Sequence, residues 1–312
     1  MTVNREQIRQ SMLDEDIVDG FYGTASAGTT TSLTDAGLLD VGVESPGRFG
    51  AYWLHRPAAA AAANFYRRIR GDGFNAQTGK LDIQGAIWTV APLASADTGE
   101  YEIWPGDVHP AAVNRAISRA LTTRCFSIQR DSVTTNGQTR YDIAASPFTL
   151  TSISSIQNQV LEINQVSGTD PNARIWPWAS GGRSWWPEED NNTLYLRFYP
   201  APSGTLEIVW KKPYADLTDE TTTSAVNEDY VKWAAFYELF FALENRAKAE
   251  SESKVNYKDL KETCYARYWA RNQMEMGRFA SQYHHPRPRW RSAVAAPTSG
   301  RGYGGLGGYG AR

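Results

Sequence analysis

The chain of 312 residues has few of the side chains that build metal centres or disulfide frameworks. It contains two cysteines, Cys125 and Cys264, and four histidines. One cysteine pair makes neither a disulfide framework nor a metal quartet. No histidine has a cysteine, a glutamate or a second histidine at the spacing of a zinc site. We therefore expect free buried thiols, no metal and no cofactor.

Long apolar runs are also missing. None approaches the roughly 20 residues that are needed to span a bilayer, so we expect no membrane partner. Hydrophobic residues make up 41% of the chain and charged residues 21%, which indicates a globular body of one large or two ordinary domains. The 11 tryptophans and 16 tyrosines are high counts, and such residues favour buried interfaces.

Acidic side chains are absent from the last 37 residues. This stretch holds six arginines and, from Gly300 onward, mostly glycine and tyrosine. Subtracting its +6 from the chain's formal charge of −2 leaves about −8 for residues 1–275. A segment so poor in aliphatic side chains cannot offset its own ordering entropy. We expect it to be an extended arm that becomes ordered against another molecule.

Periodicity predicts an α+β fold. Asn4 and Gln7 have the spacing of a capping box and predict a short N-terminal helix. Short alternating strands then predominate and predict an antiparallel β-sandwich-like region with one inserted helix over residues 109–124. Within it, the turn Pro200–Gly204 predicts that the two strands flanking it form an antiparallel hairpin.

The C-terminal third is helical. Asn227 is placed to cap a long aromatic helix, and a second aromatic helix follows after a short break. Two such helices usually pack as an antiparallel pair. The predicted domains are an N-terminal helix, a β-rich domain, a helical hairpin and an extended arm, over residues 1–20, 21–220, 221–282 and 283–312.

Apparent catalytic motifs fail at their required positions. Five residues rather than four separate Gly73 from Gly79, and Leu81 stands where a phosphate-binding loop needs a hydroxyl. A turn between strands explains this segment better. The densest carboxylate cluster, Glu188 to Asp190, is most simply a solvated loop before a strand. We therefore expect no catalytic residue.

Two aromatic clusters allow more than one interpretation. One cluster consists of Arg287, Arg289, Trp290 and Arg291. It could bind single-stranded nucleic acid. Docking to an acidic groove of another protein is favoured, because the acidic body of the chain would repel nucleic acid. The tryptophan-rich loop at residues 176–186 could pack in the core, contact another subunit or stack on sugars.

Two segments carry a resemblance to a known family. The first runs from Tyr52 to Ile103 as short strands joined by turns and leads into the helix at Pro110. The second, Val226–Ala235, opens two aromatic, alanine-rich helices that precede the flexible arm. In this order they resemble the head-to-tail adaptor, or neck, proteins of tailed bacteriophages.

The resemblance implies a structural virion protein, assembled in the host cytoplasm, and not an enzyme. It would form a ring, usually of twelve copies, that links the portal to tail, nozzle or fibre proteins and surrounds passing double-stranded DNA. The portal-binding arm residues would be Tyr283, Arg287, Arg289, Trp290, Arg291, Arg301, Tyr303 and Tyr309. Ring or tail contacts would involve Trp176, Trp178, Trp185, Trp186, Trp233 and Tyr237. The alternative is a carbohydrate-binding or glycan-degrading tail module that uses the Trp176–Trp186 loop.

Overall fold

The chain forms two compact units. The computed structural model describes residues 2–15, 17–39, 49–57, 65–86, 99–143, 159–166, 175–177, 184–191, 193–250 and 256–282. The first unit comprises Met1–Ser127 and Pro213–Phe279, and the second comprises Ile128–Lys212 and Ala280–Arg312. The predicted domains follow changes of secondary structure along the chain, whereas these units group segments that are distant in sequence.

The first unit begins with the predicted helix. Strand β1 (Val3–Asn4) leads into α1 (Arg5–Leu13). The side chain of Asn4 accepts a hydrogen bond from the Gln7 amide at 2.8 Å, and Gln7 Oε1 accepts from the Asn4 amide at 2.9 Å. This reciprocal capping box satisfies amides that the first turn leaves without a helical partner. The predicted start of α1 is confirmed.

A curled antiparallel sheet follows in the same unit. Its strands are β2 (Phe21–Thr24), β3 (Ala27–Thr29), β4 (Ser32–Thr34), β5 (Trp53–Arg56), β6 (Phe65–Asn75), β7 (Lys80–Ile83) and β8 (Glu100–Trp104). They are ordered β2-β8-β5-β6-β7-β4-β3. The register between β6 and β7 shifts between Ile69 and Phe74, so the long strand β6 joins two parts of the sheet. Leu33, Leu54, Ile69, Leu81 and Ile103 form its buried core.

The segment that resembles a phosphate-binding loop is the turn between β6 and β7. Gly79 has a φ of +62°, and a Cβ atom added there would collide with the main-chain oxygen of Asp35. Glycine is required because other residues rarely adopt this conformation and because the backbone of Asp35 approaches so closely. The prediction of a turn at this position is confirmed.

The remaining elements of the first unit are mostly helical. They are α2 (Pro110–Arg119), a π-helical turn (Ala120–Arg124), the short strand β16 (Thr223–Ser224), α3 (Glu228–Glu250) and α4 (Tyr257–Gln282). At the start of α2, His109 Nδ1 accepts a hydrogen bond from the Ala111 amide at 3.1 Å, and Pro110 occupies a position that needs no amide hydrogen. Strand β16 pairs with β1, which brings the start of the chain to residues 223–224.

The second unit is a sandwich of two antiparallel sheets. One sheet has the order β10 (Arg140–Asp142), β14 (Thr193–Tyr199), β13 (Ser184–Asp190). The other has the order β12 (Ile175–Pro177), β11 (Val160–Val166), β15 (Thr205–Pro213), β9 (Phe126–Thr134). Apolar side chains of both sheets meet in one core, which includes Leu194, Leu196, Phe198, Leu206 and Ile208.

The predicted hairpin between β14 and β15 is wrong. Both strands exist, but β14 pairs with β10 and β13 whereas β15 pairs with β11 and β9. The segment Pro200–Gly204 therefore passes from one sheet to the other. Both strands direct their alternating apolar residues into the shared core, and a hydrophobic pattern alone does not distinguish two strands of one sheet from two strands in facing sheets.

The α+β class is confirmed, with antiparallel sheets, the inserted helix and the C-terminal helices. Cys125 and Cys264 are both buried and free, as expected. Burial raises the pKa of the Cys264 thiol to about 12, so this thiol is a small apolar core group and not a nucleophile.

Candidate assembly surfaces

Helices α3 and α4 form the antiparallel pair that the sequence predicts. Asn227 Oδ1 accepts from the Tyr230 amide at 3.2 Å and caps α3. The rings of Tyr230 and Tyr268 stack with centroids 5.9 Å apart, and further along α3 Tyr237 meets Tyr265 at 5.3 Å. Because the contacts advance along α3 as they retreat along α4, the two helices run in opposite directions.

The outer side of this pair exposes a row of aromatic rings. Phe241 is 39% exposed, Tyr265 42% and Trp269 49%. Tyr237 contacts Phe241 at 6.2 Å and Tyr265 at 5.3 Å, and Tyr265 contacts Trp269 at 6.4 Å. These four residues form a continuous surface across both helices, which we call the aromatic stripe. Contiguous exposed apolar surface of this kind marks an interaction site.

Paired charges border the stripe. Lys261 lies 5.9 Å from the Phe241 ring and 2.5 Å from Glu244 Oε2. Arg124 lies 4.9 Å from the Tyr237 ring and donates to Glu238 Oε1 at 2.6 Å. Each cation is thus held over a ring by a carboxylate. An apolar centre with a charged rim is the usual organisation of a protein–protein interface.

Ion pairs join the two helices to each other and to Glu15, which follows the end of α1. Lys232 on α3 lies 2.6 Å from Glu15 Oε1 and 3.0 Å from Asp229 Oδ1. Arg271 on α4 pairs with Asp229 at 2.6 Å, and Arg267 lies 3.4 Å from Glu15. Lys232 is buried, whereas its partners Glu15 and Asp229 are partly exposed. These contacts fix the orientation of α3 and α4 within the first unit.

A second charge network lies entirely inside the first unit. Arg9 Nε donates to both carboxylate oxygens of Glu102, at 2.9 and 2.8 Å, and Arg9 Nη1 donates to Asn114 and Glu220, both at 2.9 Å. His55 Nδ1 lies 2.8 Å from Glu102 Oε2. Arg9, Glu102 and His55 are completely buried. The network connects α1, two strands of the curled sheet, α2 and the segment before β16.

The electrostatics of this network hold Glu102 ionised. Burial alone would raise the pKa of Glu102, but the charges of Arg9 and His55 outweigh it and lower that pKa to about 2. Glu6 behaves in the opposite way. Burial, together with the nearby charges of Glu100 and Glu102, raises the pKa of Glu6 to about 7. The network has the character of a structural connection, because each charge is paired inside the core.

The predicted ring or tail residues lie in several places. Trp233 is buried, 5% exposed, and is covered by Arg267 at 4.4 Å from its ring. Tyr237 belongs to the aromatic stripe. In the second unit Trp176 lies on β12, opposite Gln165, and Trp178 falls outside the described residues. Their role as contacts stays a prediction.

Trp185 and Trp186 lie on strand β13 and not in a loop. Trp185 packs against the sandwich core, whereas Trp186 is 41% exposed on the other face of the sheet. Glu188 and Asp190 also belong to β13, so the expectation of a loop at these carboxylates is wrong. Pairing with the whole of β14, from Ser184↔Tyr199 to Asp190↔Thr193, keeps this segment extended.

The predicted portal-binding residues, from Tyr283 to Tyr309, lie outside the described residues. Where the structure describes side chains, no cluster of three or more histidine, cysteine, aspartate or glutamate residues is suited to a metal ion. No helix in the described part of the chain has the length and apolar character to cross a membrane.

Three members of the stripe were not predicted from the sequence. Phe241, Tyr265 and Trp269 could have been found from helical spacing, because 237 and 241, and likewise 265 and 269, are four residues apart and share a face. Both helices are aromatic on more than one side. The sequence therefore could not indicate which rings the core covers and which it leaves exposed.

Comparison with known proteins gives one family match. Residues 81–284 match the family model described as SU10 adaptor protein. The match includes strand β8 of the curled sheet, helix α2, residues 128–212 of the second unit and both C-terminal helices. A search of curated proteins found no match.

Proposed function

The chain belongs to the SU10 adaptor protein family, whose members are phage structural adaptors, and we propose that it forms a ring that links the portal to the tail. As an adaptor it interacts with other structural proteins of the virion. The finer role, at the junction of head and tail, is our proposal. The proposed ring has twelve copies of the chain, with tail, nozzle or fibre proteins on one side and the portal on the other.

The aromatic stripe carries this proposal. Its exposed rings lie on two helices that are attached to the body through the ion pairs of Lys232 and Arg267 with Glu15. Tryptophan and tyrosine dominate the energetic centres of protein interfaces because they bury a large area with little loss of side-chain entropy. We assign the stripe to the contact between neighbouring copies, and a contact between different faces repeated around an axis closes a ring.

The basic arm is assigned to the portal. Residues 283–312 combine five arginines with Trp290 and three tyrosines, and they lack carboxylates. Arginines and one aromatic anchor suit an extended segment in an acidic groove. The proposed anchors are Tyr283, Arg287, Arg289, Trp290, Arg291, Arg301, Tyr303 and Tyr309. Trp176, Trp178, Trp185, Trp186 and Trp233 remain proposed ring or tail contacts.

The charge of the body suits a DNA channel. Residues 1–275 carry a formal charge of about −8, and an acidic wall does not retain the DNA backbone. Double-stranded DNA would therefore pass without being bound and without sequence recognition.

The test compares self-association of the wild type with that of the variant Trp269→Ala. Native mass spectrometry of the full chain, alone and with the portal protein, should show a ring for the wild type and mostly monomer for Trp269→Ala. Tyr199→Ala, which also removes an exposed aromatic ring but in the second unit, is the control and should assemble normally. Equal assembly of all three proteins would refute the assignment of the stripe.

The arm is tested separately. A chain that ends at Gln282 should keep the circular dichroism spectrum and the self-association of the full chain, and should lose binding to the portal. If the shortened chain binds the portal as well as the full chain does, the arm does not bind the portal.

A further inference from the structure

The outer face of the β13-β14-β10 sheet carries large aromatic side chains. Because successive residues of a strand point to opposite faces, Trp186, Tyr195 and Tyr199 share the face that points away from the sandwich core. Tyr199 is 65% exposed and Trp186 is 41% exposed. Ser184 is directly opposite Tyr199, so Trp186 is the diagonal neighbour of Tyr199, at roughly 7–8 Å between the backbones. We call this face the sheet platform.

Charged side chains fill the rest of the platform and hold one another in place. Arg140 lies 3.1 Å from Glu188 Oε1 and 2.9 Å from Asp190 Oδ2, and Arg197 lies 3.2 Å from Glu188 Oε2. The guanidinium of Arg140 also lies 4.2 Å from the centre of the Tyr195 ring. Donors and acceptors are therefore fixed beside exposed rings, with little further ordering entropy to be lost on binding.

The balance of charge narrows the class of ligand. Two arginines, Arg140 and Arg197, share this face with three carboxylates, those of Asp142, Glu188 and Asp190, so the platform has no excess positive charge. Nucleic acid needs such an excess, because its affinity comes mainly from phosphate neutralisation. A flat aromatic surface with fixed hydrogen-bonding groups instead suits a neutral polyhydroxylated chain. The apolar C–H face of a sugar ring packs on an aromatic ring, while its hydroxyl groups bond to carboxylates and guanidinium groups.

We propose that the sheet platform is a binding site for a neutral polysaccharide, with Trp186 and Tyr199 as the stacking residues. Arg140, Arg197 and Glu188 would fix the orientation of the sugars. The rings of Trp186 and Tyr199 are separated by about one sugar unit or more, so the site would contact at least two consecutive sugars of the chain. This activity goes beyond the adaptor role and does not depend on ring formation.

The geometry favours binding without cleavage. Glycoside hydrolysis needs one carboxyl group that donates a proton and a second that acts as a base or nucleophile. Glu188 and Asp190 are both engaged in ion pairs with Arg140. Neither carboxyl group is therefore arranged as the proton donor.

The test is a glycan array of neutral and charged bacterial and plant oligosaccharides, probed with the full chain, followed by calorimetry on the glycans that bind. We expect at least one neutral glycan to bind. Trp186→Ala and Tyr199→Ala should each weaken its binding by at least about tenfold, because each removes a stacking surface. Trp186→Phe, which keeps an aromatic ring, should bind more tightly than Trp186→Ala.

Trp269→Ala is the matched control. It also removes an exposed tryptophan, but from the aromatic stripe of the first unit, and its calorimetric affinity per chain should equal that of the wild type. Self-association and glycan binding are measured separately. If the chain binds glycan but forms no ring, only the proposed ring is refuted. If it forms a ring but binds no glycan, only the proposed glycan site is refuted. The proposal is overturned if no neutral glycan binds, if neither platform substitution weakens binding, or if the platform instead binds nucleic acid.

Discussion

Replacing Glu102 with glutamine should destabilise the first unit strongly. The substitution keeps the size of the side chain and removes its charge. Of its two carboxylate partners, the completely buried Arg9 then retains Glu220. The hydrogen bonds of Arg9 Nε and His55 Nδ1 with residue 102 no longer involve a charged carboxylate. Breaking a buried pair costs about 3–5 kcal/mol because an uncompensated charge remains in the core.

The lowered pKa of Glu102 gives a second value for the contribution of the network to the free energy of unfolding. It is lowered from 4.5 to about 2, and each unit corresponds to about 1.4 kcal/mol, so the ionised network contributes about 3 kcal/mol. Because the folded pKa lies below the unfolded one, this stability is present above pH 4.5 and is lost as the pH falls from 4.5 towards 2.

The assay is urea unfolding of the wild type and of Glu102→Gln at pH 7 and at pH 3, followed by circular dichroism and tryptophan fluorescence. The free energy of unfolding should fall by about 3 kcal/mol at pH 7 and by less at pH 3. Asp82→Asn is the control, since Asp82 pairs with Lys80 at 3.0 Å on the surface and such a pair is worth less than about 1 kcal/mol. A loss below about 1 kcal/mol for Glu102→Gln, with an unchanged urea dependence, would show that the ionised network contributes little to stability.

Three further predictions concern the first unit. Glu6→Gln should stabilise the first unit by up to about 1 kcal/mol at pH 8 and not at pH 4. The reason is that the raised pKa of Glu6 makes its charge unfavourable above pH 4.5, and fully so above about 7. Urea unfolding at both pH values checks this, and destabilisation at pH 8 would contradict it. The pKa of His109 is lowered by burial and by Arg115, so the first unit should lose stability as the pH falls below 6.5. His109→Asn, which keeps an acceptor for the helix cap, should reduce this loss, as measured by thermal unfolding between pH 8 and pH 5. An unchanged pH profile would contradict the role of His109. Gly79→Ala should cost more than about 1 kcal/mol because of the positive φ and the nearby Asp35 oxygen, whereas Gly137→Ala, also at positive φ but with open space around it, should cost less in the same unfolding assay.

Local signals in the sequence predicted the elements that depend on local contacts. The capping box at Asn4 and Gln7, the start of α2 at Pro110 and the cap of α3 at Asn227 are all present, because each involves residues within three positions of one another. The inserted helix also has its predicted extent, with a wider π-helical turn at its end.

Pairings between distant residues could not be predicted. The strand partner of β1 is more than 200 residues away, and Arg9 meets Glu102 and Glu220 across 93 and 211 positions. A charged residue in a helix usually faces solvent, so nothing local marked Arg9 as a core residue. The wrong hairpin has the same origin, since the choice of a strand's partner belongs to the whole sandwich and not to the turn beside it.

Imaging of the virion tests the adaptor role most directly. Purified particles of the phage that encodes this chain would be labelled with an antibody fragment against it and examined by cryo-electron microscopy. We expect a ring of label at the vertex where the head meets the tail, with density below the portal that fits the two units. Label elsewhere on the particle, or a chain that is missing from purified virions, would contradict it.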